Sequence, residues 1–369
     1  MAEAAELTIA RGTCYSLFAY EVAQAIDLDA AGRRLLAEAE RQTVKQKRRA
    51  PAYFEYRPAP LRVPRPADPL AVGAYRTAPG VEVVLYDFGA VSVSYPTPIE
   101  GALTGLPALA DELWGNERLL ADSRRHVEQL LHTIGDAAVR PQIGGDVEDY
   151  ALFHIEAFTA PCDASTLWTA HADVVARVLR AALHPLSQQE VADATALRLS
   201  FGPNDAAIID TDATVLFDPE GEDVRAVLEF ANTQLLEMRS LDQQLDDALE
   251  RAYETLFGRG RFARLGGGGP DLQRLAALQL DAAILFEQVT NALKLVGDQY
   301  LARVYALASR RFRLAQWDAS ISRKLQTIDG IYGKMADRAA TRRMEMLEWI
   351  IIVLIALSIL LSLVTLTPG

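Results

Sequence analysis

From Ile350 to Leu366 the chain reads IIIVLIALSILLSLVTL, a run without a charge in which thirteen positions are Ile, Leu or Val. With Leu347, Glu348 and Trp349 it makes about twenty residues, roughly 30 Å of helix, the thickness of a bilayer's hydrocarbon core. At about −0.3 to −0.6 kcal/mol per aliphatic residue, insertion outweighs the cost of Ser358, Ser362 and Thr365. The expectation is one C-terminal transmembrane helix over 347–366, a tail anchor with Trp349 at the interface and Ile350, Leu354 and Leu361 in lipid. Lys334, Arg338, Arg342 and Arg343 precede the run and only Thr367, Pro368 and Gly369 follow it. The positive-inside rule then keeps the large N-terminal part in the cytoplasm. Met1-Ala2-Glu3-Ala4-Ala5-Glu6 has no apolar h-region, so no signal peptide is expected. Arginine-heavy, alanine-rich usage resembles that of a GC-rich bacterium, and the expected location is a bacterial inner membrane.

Ahead of that run, 369 residues leave room for two or three packed units. Half the residues are hydrophobic and 23% are charged, the balance of a globular chain. A net charge of −12 argues against nucleic acid as the general partner. The excess is local: between Asp205 and Glu250 about thirteen carboxylates face only Arg225 and Arg239. Cys14 and Cys162 lie far apart without CxxC spacing, which speaks for two small buried thiols and against a zinc site or disulfide framework.

The first 220 residues read as a mixed α/β head. Leu7–Ala10 is a strand candidate, and Leu28–Arg49 is an amphipathic helix ending in Lys45-Gln46-Lys47-Arg48-Arg49. Pro51 to Pro69 is too proline-dense for a central strand. Val81–Tyr86 and Ala90–Tyr95 alternate around Asp87-Phe88-Gly89, the pattern of a strand pair or of one bulged strand. Leu119–Ile134 and Leu167–Leu183 have helical period, Tyr150–Phe158 is a strand, and Ala206–Ile209 and Thr214–Phe217 flank Asp210-Thr211-Asp212. From 221 to 346 the pattern is helical. Asp223–Phe257 is one helix, and the four glycines Gly266–Gly269 make a connector before an N-cap at Asp271. Leu278, Ala282, Leu285, Val289, Ala292, Val296, Tyr300, Val304 and Leu307 repeat at three- and four-residue steps. After a break near Arg313–Ala315, Ile321, Leu325, Ile328, Tyr332 and Met335 do the same. The economical reading is α+β: the head, a long antiparallel helical hairpin forming a coiled-coil-like stalk, then the membrane helix.

No catalytic constellation stands out. His126, His132, His154, His171 and His184 share no HExxH or Cys spacing, and GxSxG, Walker A and GxGxxG motifs are absent. Gly266–Gly269 follows no strand and lacks the Lys-Ser/Thr of a phosphate loop. Asp210 and Asp212 are the strongest metal candidates, but a strand-end turn before an acidic helix start explains them as well. The basic clusters Lys45, Lys47, Arg48, Arg49 and Arg310, Arg311, Arg313 are candidate partner or RNA contacts, with solvated helix ends as the plainer account.

Gln316-Trp317-Asp318 through Ser322-Arg323-Lys324-Leu325, Ile331-Tyr332, and Arg342-Arg343-Met344-Glu345-Met346-Leu347-Glu348-Trp349 into Ile350–Ile355 resemble the end of the "required for meiotic nuclear division" family. Val83–Ser94 with Phe88-Gly89, and Asn204–Phe217 with the helix after it, resemble that family's earlier segments. The resemblance implies a membrane-bound, non-enzymatic protein without cofactor or catalytic residues, whose mitochondrial relatives support organellar translation. The expected function is therefore a membrane-anchored, non-enzymatic scaffold or tether with a protein partner or a second copy of itself. An RNA- or ribosome-binding adaptor is the alternative, and a metal-dependent hydrolase at Asp210/Asp212 a further one.

Overall fold

The computed structural model describes residues 6–41, 58–257 and 299–365. In chain order the strands are β1 (Thr8–Glu21), β2 (Ala25–Ile26), β3 (Leu61–Arg65), β4 (Ala71–Val72), β5 (Tyr75–Arg76), β6 (Val81–Leu85), β7 (Ala90–Ala102), β8 (Ala138–Val139), β9 (Val147–Phe158), β10 (Arg198–Leu199), β11 (Ala206–Ile209) and β12 (Ala213–Phe217). The helices are α1 (Leu28–Arg41), α2 (Leu106–Leu113), α3 (Glu117–Ile134), α4 (Ala172–Leu179), α5 (Gln188–Ala194), α6 (Glu222–Phe257), α7 (Gln299–Arg311) and α8 (Leu314–Thr365). The fold is mixed α+β.

Eight strands join one sheet in the order β10-β11-β12-β9-β1-β7-β6-β3. Every pair is antiparallel except β12 with β9. Proline cannot donate to a ladder, and Pro64 sits accordingly in β3, on the sheet's edge. The hairpin between β6 and β7 turns at Gly89, whose φ is +97°. Its carbonyl receives Val22 N–H at 2.9 Å, and an added Cβ would lie 1.9 Å from the Ala23 carbonyl oxygen. Only glycine fits there. The Phe88-Gly89 pair thus has a steric cause.

One face of the sheet carries the alternation that the sequence displays. Val81, Val83, Leu85, Val91, Val93, Phe153 and Ile155 share an apolar core with residues of α1 to α5. The opposite face meets α6 and is mixed: Leu17, Val84, Leu152 and Leu216 are buried on it, and among them sits a cluster of buried charges. Arg62 spans Glu82 and Glu229 at 2.8 Å each, and Arg225 reaches Glu82 at 2.7 Å and Glu222 at 2.8 Å. Ser92 Oγ donates to Glu229 at 2.8 Å, and the Arg225 guanidinium lies 4.3 Å from the Tyr15 ring centre. Arg225 and Glu229 are each 1% exposed, so these are buried charges that survive because each finds partners. Burial works against the Glu82 carboxylate, but Arg225 and Arg62 overcome it and hold its pKa below the ordinary value. Farther along α6 the stripe continues: Asn232 donates to the Glu148 carbonyl, the Tyr305 hydroxyl of α7 donates to Gln234, and Arg239 pairs with Glu148 at 2.6 Å. The local acidic excess read from the sequence is thus partly a buried ionic seam.

The chain divides into two compact units, Met1–Ser240 with Glu287–Asp318 and Leu241–Phe286 with Ala319–Gly369. Within the second, Leu241, Leu245, Ile321 and Ile328 are buried. Ser320 bonds Asp242 at 2.9 Å, and Lys324 pairs with Asp242 at 2.8 Å and Asp246 at 2.6 Å. Partner numbers rise together, so these segments of α6 and α8 run parallel. The expected antiparallel hairpin concerns a different pair, 278–307 with 321–339, most of whose first arm lies outside the described residues. The Ile321–Ile328 seam finds its described partner in α6, and the described end of the expected first arm, α7, packs instead in the sheet-bearing unit, where Val304 and Tyr305 are buried. Residues 278–298, the rest of that arm, lie outside the described residues, as do Gly266–Gly269 and Asp271.

The expected membrane span is overturned. Among the described residues no helix is long and apolar enough to cross a membrane. The apolar run's described side chains end at Ser358. Trp349, Ile350 and Leu354 are exposed, and the side chains of Leu361, Lys334, Arg338, Arg342 and Arg343 lie outside the described residues. The tail anchor and the inner-membrane location are therefore withdrawn.

Candidate functional site

On the apolar face of the sheet, strand register aligns small residues. Ala151 of β9 pairs with Ser16 of β1 on one side and Ala213 of β12 on the other. A row of Ser, Ala and Ala leaves the sheet shallow there, and a cavity of about 270 Å³ stands over it. The C-terminal ends of α2 and α4 form its walls, with Leu113, Val178 and Leu179 facing in. The rim carries Trp114, 62% exposed, and the exposed carboxylates Asp149 and Asp212. Ala181, also lining the cavity, has φ +47°, a conformation that costs a residue with a Cβ about 1 kcal/mol or more.

Ser16 is 5% exposed, and its hydroxyl has no hydrogen-bond partner among the described residues. A buried hydroxyl left unpaired costs on the order of 1–3 kcal/mol, so the cavity holds one polar atom waiting for a partner. Partial burial raises the Asp149 pKa above the ordinary carboxylate value. Burial raises that of Asp212 as well, reinforced by the charges of Asp210 and Asp149.

Asp210, the other member of the sequence-predicted pair, is turned to a different use. It is 1% exposed and meets Arg180 Nε at 2.9 Å and Arg311 Nε at 2.5 Å. Asp193 also takes Arg180 at 2.6 Å and Arg311 at 3.0 Å. Two carboxylates and two guanidinium groups thus neutralise each other and tie α4, α5, α7 and the β11–β12 turn together. That turn is the Asp210-Thr211-Asp212 segment, closed by Asp210 N–H on the Ala213 carbonyl at 2.9 Å. No group of three or more potential metal ligands occurs among the described residues.

Residues 11–223, which hold the cavity and most of the sheet, match a family model. The chain belongs to the family described as "Uncharacterized protein MJ0711, N-terminal domain". It is 22% identical over 222 residues to the uncharacterized protein MJ0711 of Methanocaldococcus jannaschii, a match covering 59% of this chain and 66% of that protein's length. No solved structure matches. The family assignment covers the head and stops near the start of α6, and neither comparison brings in the meiotic-nuclear-division family.

Of the basic residues singled out by sequence, Arg311 is committed to Asp210 and Asp193, whereas Arg310 and Arg313 are exposed. Lys45, Lys47, Arg48 and Arg49 lie outside the described residues. Among the histidines, His154 is buried and holds the Asp218 carbonyl at 2.7 Å, and His126 faces Asp122 at 3.4 Å. Cys14 is a buried free thiol whose pKa burial pushes up, and Cys162 is half-buried and free. Sequence reading missed Ser16, Asp149 and Ala151, whose proximity depends on the register between β1 and β9. Asp149 carried the one available signal, a carboxylate just ahead of an apolar strand.

Proposed function

We propose that this protein is a non-enzymatic binding scaffold whose α/β head accepts a small molecule in the cavity over Ser16, Ala151 and Ala213. The observation that carries this reading is the unpaired, buried Ser16 hydroxyl facing a preformed space between two helix ends. Pockets of this kind, apolar with a few polar groups, are the usual form of ligand sites. A non-catalytic role is supported by the fate of the most chemically capable groups: Asp210 is neutralised by arginines, His154 is tied to a backbone carbonyl and Cys14 is buried as a thiol. In this reading the helical unit, which lies beyond the family-matched segment, is the part that engages a protein partner.

Ligand-observed NMR with a fragment library tests the head. Fragments should bind the wild-type full chain and be lost with Ala151→Leu, which fills the shallow row, at a melting temperature within a few degrees. Ser16→Ala, a smaller change, should weaken them without altering the fold. Undiminished binding to Ala151→Leu would remove the cavity from consideration, and chemical turnover of a bound fragment would overturn the non-enzymatic assignment.

A further inference from the structure

The charge around the cavity is one-sided. Among the described residues Asp149 and Asp212 have no ion-pair partner, whereas the two arginines whose fields reach Asp212, Arg180 and Arg311, are already held by Asp210 and Asp193. The helices that wall the cavity present their C-terminal ends, at Leu113–Trp114 and Leu179–Ala181. Helix C-termini carry partial negative charge and unpaired carbonyls. Two carboxylates and two helix ends of the same sign repel an anion and favour a cation. Trp114 adds an exposed aromatic ring at the same rim, a further surface for a cation. Below the rim the lining turns apolar, with Phe18, Leu113, Val178 and Leu179, and the buried Ser16 hydroxyl is its lone unpaired polar group.

We infer that the cavity binds a small primary amine on an apolar body, its ammonium at the Asp149–Asp212 rim and a polar atom at its inner end on Ser16 Oγ. This rests on the reading of the cavity as the head's binding site. A primary ammonium has three donors, enough to serve both carboxylates in charge-assisted hydrogen bonds. The apolar body displaces water from the wall, and a hydroxyl at the far end satisfies Ser16. At about 270 Å³ the space lies just under the usual range of roughly 300–1,000 Å³ for drug-sized ligands, so the body is one ring or a short chain.

Isothermal titration of the full chain at neutral pH with four probes separates the possibilities: tyramine, 2-phenylethylamine, 4-hydroxyphenylethanol and 4-hydroxyphenylacetate. Tyramine should bind tightest, the neutral alcohol about tenfold weaker and the acid weakest. Asp149→Asn and Asp212→Asn should each weaken tyramine about five- to tenfold, leave the alcohol unchanged and keep the melting temperature. Tyramine's advantage over 2-phenylethylamine should vanish in Ser16→Ala, because only tyramine carries the inner hydroxyl. Alcohol or acid binding as tightly as the amine, blocked by Ala151→Leu, would overturn the charge assignment while leaving the cavity reading intact. Binding of the amine that Ala151→Leu does not touch places the amine elsewhere and overturns the inference. Absence of binding by all four probes at millimolar concentration overturns the inference and the cavity reading together.

Discussion

On one face of the sheet Val83, Val93, Phe153 and Ile155 share an apolar core with Leu106, Val175 and Leu179. On the other, Arg62, Glu82 and Ser92 meet Arg225 and Glu229 of α6 through hydrogen bonds of 2.7 to 2.8 Å. Apolar contact is non-directional, so the first face tolerates small adjustments of the helices lying on it. The ionic face works differently. Its energy depends on all partners being present together, and it fixes the rotation and axial position of α6. Both faces bury apolar side chains, among them Leu17, Val84 and Leu152 on the α6 side, but only the α6 side adds a set of directional, mutually dependent contacts that define its helix's position.

The sharpest way to break that comparison is Glu229→Ala. Removing the carboxylate leaves Arg62 without one of its two partners and Ser92 without its acceptor, in an almost fully buried setting. The expected loss is about 3–5 kcal/mol in urea unfolding, the usual cost of stranding a buried charge. A loss under roughly 1 kcal/mol would mean that water reaches the seam and that α6 is not fixed by it. On the apolar face, Ile155→Val should cost about 0.5–1.5 kcal/mol by the same measurement, since only one methylene is removed. If Ile155→Val proved the more damaging change, the roles assigned to the two faces would be reversed.

A finer contrast is one of slope. Glu237 of α6 is buried, and its carboxyl pKa is raised well above the ordinary value of 4.5 by burial and then by the charge of Glu21. The folded state therefore binds this proton more tightly than the unfolded chain. The proton's contribution to stability is fully present below about pH 4.5 and is lost as pH rises through the folded-state value. Glu237→Gln should flatten the decline of stability above pH 4.5, with its largest relative gain at the alkaline end. Parallel stability–pH curves for wild type and variant would show that Glu237 is solvated.

How much of this could be read from the sequence differed between the two faces. Val81–Tyr86 and Ala90–Tyr95 were legible as strands because branched residues alternate there, although β7 extends on to Ala102. β1 was legible only as far as Ala10. Its central stretch, Leu17 to Tyr20, is buried without alternation, and Gly12 marks a register shift that interrupts the pattern. α6 was legible as a helix from its period. Its buried polar side was not, because Arg62 and Glu82 stand 167 and 143 residues from their partners in α6 and charge on a helix ordinarily signals water. The cavity was hidden for a related reason. Ser16, Ala151 and Ala213 become neighbours only once β1, β9 and β12 are in register, and small residues advertise nothing by themselves. The C-terminal apolar run misled in the opposite direction, since hydropathy alone set the expectation there.

The position of β1 in the sheet also governs how the protein can be made. Both of its neighbours come late in the chain: Tyr20 pairs with Val91 on one side and with Val147 on the other. At elongation rates of roughly 5–20 residues per second, the ribosome needs on the order of ten seconds to deliver β9 after β1. Throughout that interval a strand of fourteen residues, destined for the middle of the sheet, has at least one open edge. An open edge will template any strand it meets, including the same strand of a neighbouring nascent chain. Polysomes that bring nascent chains close together are therefore where this fold is most exposed to misassembly, and the yield of soluble protein should depend on how densely its message is loaded.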